Sequence, residues 1–162
     1  MPETSIIIEY LDRHYPGRQR LIPDDRDAAL KVRLWDRFFD LYIHVPMQKI
    51  VTDTLRASGE NDHRGVSDAR ASLAVAYGMA DKHFTENTFA AGDAFSLADC
   101  AATPALFYGG IVEPFDEKHP HLAAYFERLL ERASVRRVLA EARPYFHMFP
   151  YKNLMPARFF EM

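Results

Sequence analysis

The sequence has 162 residues, of which 48% are hydrophobic and 27% charged, and this is the size and balance of one globular domain with a real core. A net charge of −3 excludes a strongly basic surface, so neither nucleic acid nor a membrane surface is an expected partner. No apolar run approaches the roughly 18 residues of a membrane helix. Because no signal-peptide pattern is present either, a cytoplasmic location is expected.

The first predicted helix begins almost at the first residue. Thr4 or Ser5 can cap its start, and Pro16 with Gly17 ends it. Apolar side chains recur between these points at helical spacings: Ile7, Ile8, Leu11 and Tyr15.

A long amphipathic helix is predicted next, after a short loop. Acidic residues at its start suit the positive end of a helix: Asp24, Asp25 and Asp27. An apolar stripe then runs through Leu30, Leu34, Phe38, Leu41 and Val45, with Trp35, Phe39 and Tyr42 beside it. Pro46 interrupts this pattern without ending it, which predicts a kink.

The later segments also have helical periodicity. A helix is predicted over residues 66–84, another after Ser96, and two short ones around residues 122–129 and 135–139. From about residue 143 the sequence is aromatic and irregular. Since no alternating strand pattern, repeat or linker occurs, the sequence predicts an all-α fold of about six to seven helices.

The segment FSLADC contains the sharpest local motif. Ser96 at the N-cap and Asp99 three residues later form a variant capping box, with Phe95 and Cys100 in the staple positions. We interpret Ser96 and Asp99 as determinants of the fold. Cys100 is expected to be a small buried hydrophobe, because no neighbouring basic residue would lower its pKa.

Candidate binding residues lie at the first helix. Glu3 and Thr4 precede its free N–H groups, so they could hold an amino-acid-like ligand or simply cap the helix. The aromatic residues of the long helix and of the tail could line an apolar cleft or pack in the core. No metal site is expected, since no histidine pair has the i, i+4 spacing and cysteine ligands are lacking.

Two of these segments together resemble the glutathione transferase family. The stretch PETSIIIEYLDRHYP is similar to the junction between that family's thioredoxin-like and helical domains, with Pro2, Glu3 and Thr4 at a Pro-Glu-Ser motif. Thr4 replaces the usual serine and keeps the hydroxyl. AFSLADCAATPAL resembles the family's capping-box helix. The resemblance runs from residue 2 to about residue 140 and leaves the aromatic tail outside it.

The resemblance implies an organisation and a reaction. Residues 1–16 would be the last helix of a thioredoxin-like domain, and residues 17–162 the C-terminal helical domain with its tail. Glu3 and Thr4 would bind glutathione as substrate, and Phe39 and Tyr42 would contact the small electrophile. The family also implies a homodimer.

The same resemblance leads us to expect a truncated chain. No residue matches the serine, cysteine or tyrosine that activates the thiol in the family, and the sheet that carries it is expected to be absent. We therefore expect no catalytic residue in this chain and little conjugation by the chain alone.

Two other functions remain open at this point. Helical domains of this kind also serve as non-enzymatic interaction modules in translation factors and synthetases. The aromatic tail could instead act as a lid over an apolar ligand pocket.

Overall fold

The computed structural model describes residues 3–115 and 117–161, so Pro2 of the junction motif lies outside it. Within those ranges there is no β-strand, only an isolated bridge between Phe89 and Gly92. The described α-helices are α1 (Thr4–His14), α2 (Arg26–Phe38), α3 (Val45–Asp53), α4 (His63–His83), α5 (Leu97–Val112), α6 (Pro120–Leu130), α7 (Ala133–Ala142) and the single turn α8 (Arg158–Glu161). The all-α fold predicted from the sequence is confirmed. None of the described helices has the length and apolar character needed to cross a membrane.

The long helix predicted from the sequence is built from three consecutive segments. Asp25 caps its start, because its Oδ1 accepts the Ala28 N–H at 2.8 Å. A π-helical segment, Phe39–His44, joins α2 to α3. Pro46 lies in the first turn of α3. The irregularity that Pro46 predicts therefore occurs as a wider turn just before it, where the hydrogen bond that proline cannot donate is missing.

The core forms where the α2–α3 unit, α4, α5 and α6 pack against one another. Its innermost side chains are almost completely inaccessible to solvent: Phe39, Ile43, Met47, Ile50, Leu73, Tyr77, Leu106, Leu122, Tyr125 and Leu129. Small residues let the helices approach closely. A Cβ on Gly109 would lie only 2.8 Å from the Tyr77 hydroxyl.

The start of α6 is completed by a residue of α4. Asp81 Oδ1 accepts the N–H of His121 at 2.8 Å and that of Leu122 at 3.0 Å. Pro120, in the first turn, has no N–H to satisfy. The Asp81 carboxylate thus accepts the N–H groups that a local N-cap residue would otherwise accept.

The aromatic tail lies against α5. It contains two 3₁₀ segments, Arg143–Met148 and Lys152–Leu154, before α8. The ring of Phe107 has its centroid 5.5 Å from that of Phe146 and 4.8 Å from that of Phe159. These contacts anchor the tail to the bundle.

Candidate functional site

The backbone immediately before α1 is strained. Glu3 has φ 71° and ψ 111°, and it is the one non-glycine with positive φ among the described residues. Such a conformation costs of order 1–3 kcal/mol and occurs mainly at binding sites and turns. The Glu3 carbonyl accepts the Ile7 N–H at 3.0 Å, while its side chain makes no capping hydrogen bond to the described residues.

A charged network fixes α1 to α2. Ser5 Oγ donates to Asp36 Oδ1 at 3.0 Å, and Arg37 donates to both of them, to Ser5 Oγ at 2.9 Å and to Asp36 Oδ2 at 3.1 Å. The Arg37 guanidinium also lies 3.1 Å from Asp40. Asp36 is only 3% exposed, so its charge depends on these partners.

A cavity of about 210 Å³ lies beside this network. Its wall includes Glu3, Thr4, Asp36, Arg37 and Asp40. Carboxylates and a guanidinium therefore meet next to the N-terminus of α1, where the helix dipole favours an anion. An arrangement with both signs of charge can hold an ammonium group and a carboxylate of one ligand.

The two aromatic residues that were predicted to contact the electrophile, Phe39 and Tyr42, lie in different environments. Phe39 is completely buried, with its ring centroid 6.2 Å from that of Tyr125. Tyr42 is 59% exposed and lines a different cavity, of about 1080 Å³, between α2 and α4. Neither residue lines the cavity at Glu3 and Thr4.

The sequence interpretation did not identify the residues that form hydrogen bonds with α1. Asp36, Arg37 and Asp40 interrupt an otherwise apolar stretch of the long helix. Charged residues are seldom buried unless they are paired, so their presence in this apolar stretch could have indicated a polar contact with another helix. Their partner Ser5 is 31 residues away along the chain, which periodicity alone does not connect.

The capping-box residues hold the start of α5. Asp99 Oδ2 accepts the N–H of Ser96 at 2.8 Å and its hydroxyl at 2.9 Å. Asp99 Oδ1 accepts the Ala90 N–H at 2.9 Å. Every hydrogen bond of this carboxylate is made within the fold, and none is left for a ligand.

Cys100 follows Asp99 in the first turn of α5. Burial, and secondarily the charge of Asp99, raises the pKa of its thiol to about 11. The thiol is therefore protonated at neutral pH and is a poor nucleophile. Among the described residues, no group of His, Cys, Asp and Glu is arranged to hold a metal ion.

Comparisons with known sequences point to one family. The model of the family "Glutathione S-transferase, C-terminal domain" matches residues 38–133. The chain is 26% identical over 141 residues to the glutathione S-transferase-like protein LUC7 of Fusarium sp, and 28% identical over 144 residues to a probable glutathione S-transferase of Nicotiana tabacum. These matches cover 85% of this chain but 64% and 60% of the relatives, so the chain spans less than two thirds of their length.

A further relative belongs to another functional class. Elongation factor 1-gamma-A of Xenopus laevis is 27% identical over 133 residues, which cover 80% of this chain and 30% of that protein.

Solved structures share the fold. A glutathione S-transferase of Methylobacillus flagellatus with glutathione bound has a TM-score of 0.77 at 24% identity, covering 85% of this chain and 68% of its own. The transferase URE2P8 of Phanerochaete chrysosporium, with oxidized glutathione, has a TM-score of 0.80 at 15% identity, covering 91% and 68%.

Proposed function

Because this chain belongs to the glutathione S-transferase C-terminal domain family, we propose that it provides part of a glutathione-binding site in a transferase. In that reaction glutathione thiolate attacks a small electrophile. The observation that carries the proposal is the strained conformation of Glu3 beside the charged cavity at the start of α1. Structures of similar fold that contain glutathione add support.

Glu3 and Thr4 divide the recognition of the γ-glutamyl group. The Thr4 hydroxyl and the free N–H groups of the first turn bind its carboxylate, and the Glu3 carboxylate faces its ammonium group. The exposed side chains of both residues are available for this. Asp36 and Arg37 act as positioning residues, because their hydrogen bonds to Ser5 hold the first turn of α1 in place.

Activation of the thiol requires a group outside the residues assigned here. A free thiol with a pKa near 8.5 is only a few per cent ionised at pH 7. We assign residues 1–16 to the last helix of a thioredoxin-like domain and residues 17–162 to the helical domain, and we assign the activating role to no residue of this chain. The isolated chain should conjugate glutathione poorly. The relatives that are transferases are longer than the region matched by this chain.

Phe39 and Tyr42 differ in how accessible they are to a small electrophile. Of the two assigned residues, Phe39 has no exposed surface, so it can act only by supporting its neighbours. Tyr42 is the one that a small molecule can reach, and in a homodimer formed through the α2–α4 cavity the electrophile would bind at the contact between the two copies. A cytoplasmic location remains our expectation for this reaction.

The wide cavity between α2 and α4 suits a second copy of the chain. Exposed apolar side chains line it, among them Leu34, Tyr42, Val75 and Met79. Covering such a surface is favourable by roughly 25 cal/mol per Å². We therefore place the homodimer contact here, and Met79→Glu should shift the mass measured by light scattering towards that of a monomer.

Calorimetric titration with glutathione tests the site. Glu3→Gln and Thr4→Val should each weaken binding roughly 10-fold or more, since the first removes the negative charge that faces the ammonium group and the second removes a hydrogen bond to the carboxylate. Glu60→Gln, at an exposed loop position, is the matched control and should bind as the wild type does. Equal affinity in all four proteins would contradict the proposal.

A non-enzymatic interaction module is the second candidate. The match to elongation factor 1-gamma-A favours it. The same titration bears on this choice: binding that depends on Glu3 and Thr4 favours the transferase, whereas absence of glutathione binding in the wild type is compatible with either function.

A further inference from the structure

The segment that follows α4 forms one end of the α2–α4 cavity. Glu86 and Asn87 line that cavity together with Lys82 and His83, the last two residues of α4. Beyond them the chain turns back through the isolated bridge towards the start of α5. The contacts that hold residues 85–88 in place therefore determine the shape of this end of the cavity.

His83 contacts this segment through both nitrogens of its ring. Its Nε2 lies 2.9 Å from the Ala90 carbonyl oxygen, and its Nδ1 lies 3.5 Å from Asn87 Nδ2. Because a carbonyl oxygen can only accept, Nε2 carries the proton of the neutral ring and Nδ1 is left as an acceptor. The next proton that His83 takes up must therefore bind to Nδ1, which faces the Asn87 amide.

Asn87 cannot turn to accept that proton without losing its other contacts. Its Nδ2 donates to the His83 carbonyl at 2.9 Å, and its Oδ1 accepts from Lys31 Nζ at 3.4 Å. Rotating the amide by half a turn would place Oδ1 against the His83 carbonyl and Nδ2 against the Lys31 ammonium group. In the present orientation, a protonated Nδ1 and the Asn87 Nδ2 would be two donors facing each other.

The surroundings of the ring offer no acceptor for an added proton. The charged side chains near it are Lys31 of α2, Lys82 of α4, Glu86 of the segment, Asp99 of α5 and Arg128 of α6. Among the described residues, the imidazole forms hydrogen bonds only to Ala90 and Asn87. Burial is the main cause that lowers the pKa of His83, and the charge of Lys31 adds to it. The Trp35 ring, 3.8 Å away between centroids, can stack on a cation but has no lone pair to offer.

We propose that His83 is a pH-sensitive latch on residues 85–88, and that its protonation releases this segment and weakens the contact between two copies of the chain at the α2–α4 cavity. The release stays local, because the Ala90 N–H remains bonded to the buried Asp99 Oδ1 at 2.9 Å. In an isologous contact each copy brings its own His83 to the interface, and burying two imidazolium ions without an acceptor is costly. The effect on the contact rests on the homodimer proposed above, whereas the release of the segment does not.

Hydrogen exchange in the full chain tests the latch. The amides of Thr85 and Glu86 donate to the Lys82 and His83 carbonyls at 3.4 Å each. Their protection, corrected for the intrinsic pH dependence of exchange, should fall severalfold between about pH 7.5 and about pH 5. Constant protection in the wild type would overturn the proposal.

Two histidine variants identify the group that titrates. His83→Gln keeps an amide donor for the Ala90 carbonyl but takes up no proton in this range, so its protection should not change with pH. His121→Gln makes the same change at an exposed histidine at the start of α6 and should behave as the wild type does. A pH dependence that persists in His83→Gln would overturn the assignment to His83.

Asn87→Asp gives a test that keeps the histidine. The carboxylate provides an acceptor for the protonated Nδ1, so the pKa of His83 should rise above its wild-type value and residues 85–88 should stay protected in acid. The NMR titration of the His83 ring measures the midpoint. Asn153→Asp makes the same change at an exposed position of the tail and should leave the midpoint unchanged. An unchanged midpoint in Asn87→Asp would contradict the role of the Asn87 amide.

Light scattering over the same pH range tests the effect on the contact between copies. The measured mass of the wild type should shift from that of a dimer towards that of a monomer in acid, while His83→Gln should keep its mass. A constant mass in the wild type, despite the loss of protection, would overturn this effect. A wild type that is already monomeric at about pH 7.5 would contradict the homodimer contact instead, and hydrogen exchange would still decide whether His83 acts as the latch.

Discussion

Tyr125 donates its hydroxyl proton to Asp99 Oδ1 across 2.6 Å in the interior of the bundle. The same carboxylate closes the capping box of α5 and accepts the Ala90 N–H. One buried charge thus connects α6, the loop before α5 and the first turn of α5. Burial, and next the charge of Asp99, raises the pKa of Tyr125 well above its ordinary value. The hydroxyl therefore remains protonated, and remains a hydrogen-bond donor, at neutral pH.

Tyr125→Phe should lower the free energy of unfolding by about 1.5–3 kcal/mol, because it removes a hydrogen bond to a buried carboxylate. Urea denaturation measures the loss. Tyr77→Phe is the matched control, since the Tyr77 hydroxyl is buried with no partner among the described residues. That variant should be as stable as the wild type or more so, and equal losses in the two would contradict the argument.

Gly109→Ala should destabilise the bundle by about 1–3 kcal/mol through overpacking. The added Cβ would meet the Tyr77 hydroxyl at 2.8 Å. Because the clash involves that oxygen, Tyr77→Phe should recover most of the loss. A double-mutant cycle in urea measures the coupling, and additive effects would show that the two side chains do not meet.

Glu3→Gly should separate stability from binding. Glycine adopts the positive φ of residue 3 without steric strain, which offsets the greater freedom of the unfolded glycine chain. The thermal midpoint should therefore be maintained or rise, while affinity for glutathione falls because the carboxylate is lost. A drop in the midpoint would show that the Glu3 side chain stabilises the fold.

His83 should titrate below the ordinary histidine pKa of about 6.5. Burial is the main cause of its lowered pKa, and Lys31 adds to it, against the opposing hydrogen bond to the Ala90 carbonyl. Since the folded protein takes up this proton less readily than the unfolded chain, stability should fall as the pH drops below about 6.5.

Trp35 reports this titration directly. Its ring centroid lies 3.8 Å from that of His83, and a protonated imidazole quenches indole emission more strongly than a neutral one. Trp35 fluorescence should decrease with a midpoint below about pH 6.5, and His83→Gln should abolish the transition. A midpoint at or above the ordinary value would contradict the direction of the shift.

The sequence was sufficient for the helical class and for the packing faces of α4 and α6, because a helix without a packed face is not stable in water. The stripe predicted for the long helix was wrong as a packing face. Leu30, Leu34, Leu41 and Val45 are largely exposed, whereas Val32, Phe39 and Ile43 are buried. Pro46 indicated a disruption but not its form. A missing N–H can be accommodated by a bend or by a wider turn, and the packing of Phe39 and Ile43 selects the π-helical segment.

The candidate site was predictable only in part. A hydroxyl and a carboxylate before a helix indicated Glu3 and Thr4, but nothing in a glutamate side chain indicates a positive φ. The contact between Arg132 and Phe95 was not predictable either. The Arg132 guanidinium stacks on the ring of Phe95, 37 residues earlier in the chain, and such a contact follows from how helices pack rather than from a local pattern.

Asp81 gives the bundle a preferred order of assembly. The acceptor for the first N–H groups of α6 is Asp81 of α4, 40 residues earlier than His121. These N–H groups therefore have their hydrogen-bond partner only after the two helices dock. Closing that loop costs chain entropy before the contact is gained. We therefore expect α6 to form late in folding, together with its docking on α4, and to unravel early in unfolding.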